Sequence, residues 1–137
     1  MRVKLDFGAI APTRAHDTDA GLDLYTRERF CVFPHDRYFI DTGVHIKLPP
    51  KTVGYIRSKS GLLRYKGILT DGVIDEGYSG PIGVTLINTS DQRVIFHKGD
   101  KIAQLVIQPV LYPSVKVVDD LEIESDRGDN GFGSTGK

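Results

Sequence analysis

The sequence predicts an all-β domain, a sandwich or jelly roll of short strands. Three observations carry that prediction. Apolar residues recur at every second position, turn-forming residues punctuate the chain at short intervals, and only one stretch has the pattern of a helix. A half-buried strand requires a period of two, because successive side chains leave it on opposite faces.

The elements follow in order. Val3, Leu5 and Phe7 alternate with Arg2, Lys4 and Asp6, giving a first strand. Residues 21–26, 29–33 and 37–41 supply the next candidates, and Val44, Ile46 and Leu48 alternate with His45 and Lys47 in another. After a strand at 53–57, the stretch "GLLRYK" at 61–66 fits a helix of about a turn and a half. Ile82, Val84 and Leu86 alternate with Gly83 and Thr85, and candidates at 93–96, 102–108 and 115–118 complete the set. Turn signals separate them at Pro34-His35-Asp36, Pro49-Pro50, Thr70-Asp71-Gly72, Ser79-Gly80-Pro81, Lys98-Gly99-Asp100 and Tyr112-Pro113. No repeat or linker interrupts the pattern. Composition shifts only after about Ser125, which sets a single domain over 1–125 apart from a glycine-rich arm over 126–137.

Composition narrows the class. A chain of 137 residues suits one domain with an ordinary core. Its 18 basic and 18 acidic residues are interleaved and cancel, so the basic bias of a long nucleic-acid groove is missing. No apolar run approaches the roughly 20 residues that cross a membrane. Cys31 is alone, which predicts neither a disulfide framework nor a cysteine-rich metal site. "MRVKLDFGAI" lacks the apolar run of a secretory leader. These points predict a reducing, cytoplasmic setting. His16, His35, His45 and His97 are scattered, so any metal is expected on oxygen ligands, partly those of a substrate.

Four internal segments break the apolar rhythm. In "DAGLDLYT" (Asp19–Thr26), Asp23 faces away from Leu22 and Leu24, as a solvated strand residue also would. "RSKSGLLRYKG" (Arg57–Gly67) gathers Arg57, Ser58, Lys59, Ser60 and Gly61 before the helix, which is anion-binding chemistry. Ser60 could equally be the helix N-cap. In "DGVIDEGYSG" (Asp71–Gly80), Asp71-Gly72 signals a hairpin turn that presents Asp75 and Tyr78. In "GDKIAQL" (Gly99–Leu105), Asp100 shapes a turn and Gln104 needs partners if buried.

The last segment, "RGDNGFGSTGK", contains G-x-x-x-x-G-K from Gly131 to Lys137. A P-loop needs a following Ser or Thr for the metal and a helix to hold phosphates, and neither follows in this sequence. The composition fits a loose tail, or an arm that orders over a phosphorylated ligand through Arg127, Phe132, Ser134 and Thr135.

In this order the five segments resemble the five motifs of the trimeric dUTPase family. "DAGLDLYT", "SKSGL" (Ser58–Leu62), "GVIDEGYSG" (Gly72–Gly80), "GDKIAQL" and "RGDNGFGSTG" (Arg127–Gly136) stand for motifs one to five. The second motif usually carries arginine before its serine, where this chain has Lys59, and Arg57 stands two residues earlier. The loop from Gly67 to Asp75 is shorter than in many relatives, and Asn130 stands where glycine is common.

The resemblance implies a jelly-roll-like β-clip fold, a homotrimer with shared sites and a mobile C-terminal arm. It implies hydrolysis of dUTP to dUMP and pyrophosphate, with Mg2+ on the phosphates and Asp23 touching that ion through water. Asp75 would be the general base for in-line attack of water on the α-phosphorus. Lys59, Ser60, Gly61 and Gln104 would hold phosphates, with Arg57 as the alternative cation. Gly72, Val73 and Ile74 would present backbone to uracil, and Tyr78 would stack on deoxyribose and exclude a 2′-hydroxyl. Phe132 would stack on uracil while Arg127, Gly133, Ser134 and Thr135 close over the phosphates. The nearest alternative, a dCTP deaminase, shares the fold but calls for a glutamate in the strand after motif three. None occurs between Glu76 and Glu122. The other alternative is a catalytically silent nucleotide-binding module, against which stand Asp75 and the complete arm.

Overall fold

The computed structural model of this chain describes residues 1–121. Arg127, Phe132, Gly133, Ser134 and Thr135, and with them the arm, lie outside the described residues. The elements are β1 (Arg2–Leu5), β2 (Gly21–Tyr25), β3 (Phe30–Val32), β4 (Arg37–Lys47), β5 (Thr52–Arg57), α1 (Ser60–Lys66), β6 (Ile68–Leu69), β7 (Asp71–Ile74), β8 (Pro81–Asn88), β9 (Val94–Phe96) and β10 (Lys101–Pro109). They form a sheet in the order β1-β4-β8-β6, a second in the order β2-β10-β5-β7, and a two-stranded β3-β9 pair. Every pairing between these strands is antiparallel. This is the all-β architecture that the alternation predicts.

Leu24, Ile56, Ile82, Leu86, Ile102 and Leu105 are essentially sealed from solvent and form the centre of the core. Phe30 stacks on Tyr38 at 4.6 Å between ring centroids and on Phe96 at 4.9 Å, closing one end. Such ring pairs add stabilisation beyond their buried area.

The structure departs from the pattern at several places. The two segments at 37–41 and 44–48 are one strand, β4, whose register with β8 breaks between Asp41 and His45. Gly43 at the break has φ +67 and its N–H donates to Asp41 Oδ1. A side chain at Gly43 would strike the guanidinium of Arg27 at 2.9 Å and Ala9 at 3.0 Å. Between Asp41 and His45 β4 advances four residues while β8 advances two, yet Ile40, Thr42, Val44 and Ile46 all stay buried, so it is Thr42 and Gly43 interrupting the apolar series that make one strand read as two.

Asp71-Gly72 is not a turn. It opens β7, where Gly72 pairs with Ile56 and Asp71 with Arg57. Nor is 68–74 a hairpin, since β6 and β7 belong to different sheets. Residues 115–118 form no strand, and Val115 and Val117 are 92% exposed. Alternation there has no neighbouring strand to pair with among the described residues. β1 is paired on β4 yet exposed along its length. Ser60 is not the N-cap: it is the first helical residue, and Lys59 holds the cap position without a side-chain cap bond.

Candidate active site

The second sheet aligns four of the polar residues. Gln104 on β10 is paired with Asp23 on β2 and with Arg57 on β5, and Arg57 is paired with Asp71 on β7. Asp23, Gln104, Arg57 and Asp71 therefore form one rung across the four strands. Arg57 Nη1 donates to Asp71 Oδ1 at 2.5 Å, and its guanidinium lies 4.8 Å from the Tyr55 ring centroid. Gln104 Nε2 donates to the Ser58 carbonyl at 3.0 Å, just after the end of β5. Ser58 Oγ in turn bonds both the N–H and the carbonyl of Thr70. The strand that follows the helix is thereby tied to the segment that precedes it.

Asp23 is 6% exposed, unlike a solvated strand residue. Its two oxygens are taken by two ammonium groups: Lys59 Nζ on Oδ1, and Lys101 Nζ on Oδ2 at 2.6 Å. Burial alone would push this carboxyl up. The hydrogen bonds and charges of Lys101 and Lys59 outweigh that, and its pKa ends below the ordinary value. The same contact raises Lys101. Two cations on one carboxylate leave an excess of positive charge beside Ser60 and Gly61. A side chain at Gly61 would meet no atom of this chain within 4 Å, so local packing places no demand for glycine there.

A second group sits at the far end of β7. Asp75 follows the buried Ile74 and, with Thr52, Val53, Glu76, Gly77, Val110 and Tyr112, lines a cleft of about 420 Å³. Among the described residues, no ion pair or side-chain hydrogen bond engages its carboxylate. The turn after it closes with Tyr78 N–H donating to the Asp75 carbonyl at 3.1 Å, over Gly77 at φ +91. Tyr78 folds over Gly80 and donates its hydroxyl to the Pro81 carbonyl at 3.0 Å.

Glu76 anchors this turn. Its Oε2 accepts from the Tyr112 hydroxyl at 2.7 Å and from the Lys51 N–H at 2.8 Å, where Lys51 has φ +58. The tyrosine hydrogen bond, then the amide, hold the Glu76 carboxyl below its usual range. Its folded pKa is depressed, so the anchor is complete at neutral pH and is lost as pH falls through that value. Glu76→Gln is expected to loosen this turn, read as faster amide hydrogen exchange at Gly77 and Tyr78 at neutral pH, and unchanged exchange would remove Glu76 from that role.

The structure thus brings Asp23, Lys59, Gln104 and Arg57 together, with Ser60 and Gly61 adjacent to Lys59. It places Asp75 and Tyr78 elsewhere in the same chain. From Asp71 to Asp75 is four residues of extended chain, roughly 13 Å at the usual rise per strand residue. Glu76 and Lys101 stand inside the quoted motifs yet carry no assigned role from sequence, because spacing does not tell which partner a long side chain reaches. Among the described residues, no three His, Cys, Asp or Glu side chains gather as a metal site. Asp23 is the acidic group placed beside Lys59 and Gln104, while Asp71 is paired with Arg57. The donor chemistry of Asp23 fits a contact through water rather than direct ligation, since both oxygens are engaged.

Comparison with known proteins identifies the family. The family model described as dUTPase matches residues 8–136. The chain is 46% identical over 131 residues to the deoxyuridine 5'-triphosphate nucleotidohydrolase of Clostridium kluyveri, covering 93% of this chain and 91% of that protein. It is 44% identical over 129 residues to the variola virus protein of the same name, covering 93% and 86%. A mutant of the Staphylococcus bacteriophage 80alpha dUTPase, solved with dUpNHpp, superposes with a TM-score of 0.93 at 32% identity, covering 99% of this chain and 98% of that one.

Proposed function

This chain belongs to the dUTPase family, and on that premise we propose how its residues divide the hydrolysis of dUTP to dUMP and pyrophosphate. The chain is a dUTP diphosphatase of nucleotide metabolism. The residue assignment is supported by two ammonium groups, Lys59 and Lys101, that converge on Asp23 at the end of the rung, and by Asp75, which lines a cleft with no counter-ion among the described residues.

Asp75 acts as the general base. It takes a proton from the water that attacks the α-phosphorus, and orients that water in line with the departing pyrophosphate. A carboxylate is a weak base at neutral pH, so positioning supplies much of the rate. Lys59, Ser60, Gly61 and Gln104 hold the phosphates. Arg57 is the less suited of the two candidate cations, since Asp71 occupies its guanidinium. Lys59 is also paired, yet Asp23 retains Lys101 when Lys59 turns to an anion. Backbone groups of Gly72, Val73 and Ile74 read the uracil edge, and Tyr78 packs against the deoxyribose. Arg127, Phe132, Gly133, Ser134 and Thr135 close over the nucleotide from the arm at 126–137, which complements the domain over 1–125.

Magnesium carried on the triphosphate neutralises charge when bound, and Asp23 would reach it through water. A magnesium ion also figures in the solved dUTPase of phage phi11 of S. aureus, where it is called structural.

Several features support a homotrimer with shared sites. The two groups of site residues lie apart within one chain. Phe7, Phe39 and the apolar residues of the segment after β10 are exposed, as is β1, and these are surfaces that association would cover. The lone Cys31 supports a reducing, cytoplasmic setting. No helix among the described residues is long and apolar enough to cross a membrane. Pyrophosphate release measured on dUTP, dCTP, dTTP and UTP tests the reading. Turnover is expected on dUTP and at least roughly 10²-fold lower on each of the others. Ammonia release from dCTP would point instead to a deaminase.

A further inference from the structure

His45 makes two contacts that no neutral imidazole can make together. It lies on β4 just past the bulge, paired across the strands with Lys4 on β1 and Pro81 on β8. Its Nδ1 is 2.8 Å from the Ser79 carbonyl and its Nε2 is 3.1 Å from Asp6 Oδ1. A carbonyl oxygen and an ionised carboxylate only accept hydrogen bonds. A neutral ring has one N–H to donate and one lone pair. Both contacts are satisfied only when both ring nitrogens carry protons.

The carbonyl it holds belongs to the turn that carries Asp75 and Tyr78. Ser79 directly follows Tyr78, whose own hydroxyl donates to the Pro81 carbonyl three residues on. Glu76 ties the beginning of this turn to Lys51 and Tyr112, and His45 ties its end to β4 and, through Asp6, to the segment after β1. Asp6 is itself placed by its N–H, which donates to the Gly43 carbonyl at the bulge. We propose that His45, as an imidazolium held between Asp6 and Ser79, is a positioning residue for the Tyr78 end of the catalytic turn, and that its proton sets an upper pH limit on the ordered turn.

The surrounding charges agree in sign. β1 and the residue after it present Asp6, which favours the charged ring, and Lys4, which opposes it. β8 presents the uncharged Pro81, and the turn presents the Ser79 carbonyl. The bond to Ser79, then that to Asp6, raise this histidine above its ordinary value against burial and Lys4. A raised pKa means that the clamp is complete below about 6.5, the ordinary histidine value, and is lost as pH rises through the folded pKa. The Glu76 anchor fails at the acid end, so the turn is held at both ends only between the two transitions.

The inference rests on the dUTPase reading, and two measurements separate them. Histidine ring NMR on the whole protein, with His45 assigned by loss of its signals in His45→Gln, is expected to show both nitrogens protonated at pH 6.5 and a pKa above that value. In Asp6→Asn the pKa is expected to fall. The kcat/KM for dUTP is expected to drop roughly three- to tenfold as pH rises through the same transition, the size of effect one charge-assisted hydrogen bond supports. In Asp6→Asn that inflection should move to lower pH with the NMR pKa. A neutral ring at pH 6.5, or an inflection that stays in place in Asp6→Asn, would overturn the proposal while leaving dUTP turnover established. Absence of dUTP turnover in the wild-type protein would instead overturn the reading beneath it.

Discussion

Replacing Asp75 with asparagine is expected to lower dUTP turnover roughly 10²- to 10⁴-fold, the range that removal of a positioned general base produces. The substitution keeps the shape of the side chain and its place after Ile74, so the cleft between Thr52 and Tyr112 should persist. It removes the acceptor that takes the proton from water. Binding should survive, because no phosphate contact is assigned to Asp75. The measurement is pyrophosphate release under single-turnover conditions, alongside titration with a non-hydrolysable dUTP analogue. Loss of both rate and binding would mean that the turn had collapsed, and an unchanged rate would take Asp75 out of the chemistry.

Asp23→Asn is expected to act on stability as well as on the substrate. It leaves Lys59 and Lys101 facing each other across a neutral amide. Breaking a buried ion pair from one side is costly, and the partial exposure of both lysines reduces that cost. A loss of roughly 1–3 kcal/mol is the expected scale, read by denaturation at fixed protein concentration because association contributes to the midpoint. The sign with pH follows from the depressed Asp23 pKa. Wild type holds this stabilisation above the ordinary carboxyl range and loses it as pH falls through the lowered value, so the two proteins should converge in acid. KM for dUTP should rise as well, because Lys59 loses the partner that orients it. A variant as stable as wild type at neutral pH, with unaltered KM, would show that the two contacts to Asp23 contribute nothing measurable.

Legibility in the sequence varied with how local the controlling physics was. β8 was readable because one side of it packs on the core and the period of two survives, whereas β2 and β10 are buried on both faces in part and were marked by apolar content between turn signals. β4 read as two strands because Thr42 and Gly43 interrupt the apolar series at the bulge, although the buried parity runs on from Ile40 through Thr42 and Val44 to Ile46. Asp71-Gly72 has the sequence of a turn, yet Arg57 on the neighbouring strand captures Asp71 and draws the pair into β7. Residues 115–118 alternate without a partner in the described chain, so periodicity alone did not make a strand. At the site, the residue types and order of the motifs placed Asp23, Lys59, Gln104 and Asp75 as candidates. Which ammonium meets which carboxylate was not readable, since Lys101 and Lys59 converge on Asp23 only through the pairing of β10, β5 and β2. His45 gave no sequence signal, because its two partners lie 39 residues before it and 34 after it in the chain.

The rung from Asp23 to Asp71 has an implication for engineering. Its members are spaced by main-chain pairing, so a one-residue insertion or deletion within β5 or β10 would turn every side chain beyond it to the opposite face. The Asp75–Gly80 turn is constrained differently, by side chains and not by strand pairing: Glu76 ties its start to Lys51 and Tyr112, and His45 holds its Ser79 end. Loops of other lengths grafted between Ile74 and Pro81 should therefore remove turnover, because they displace Asp75 and Tyr78, while leaving the charged scaffold intact, whereas directed evolution of β5 and β10 should tolerate exchange of side chains but not change of length.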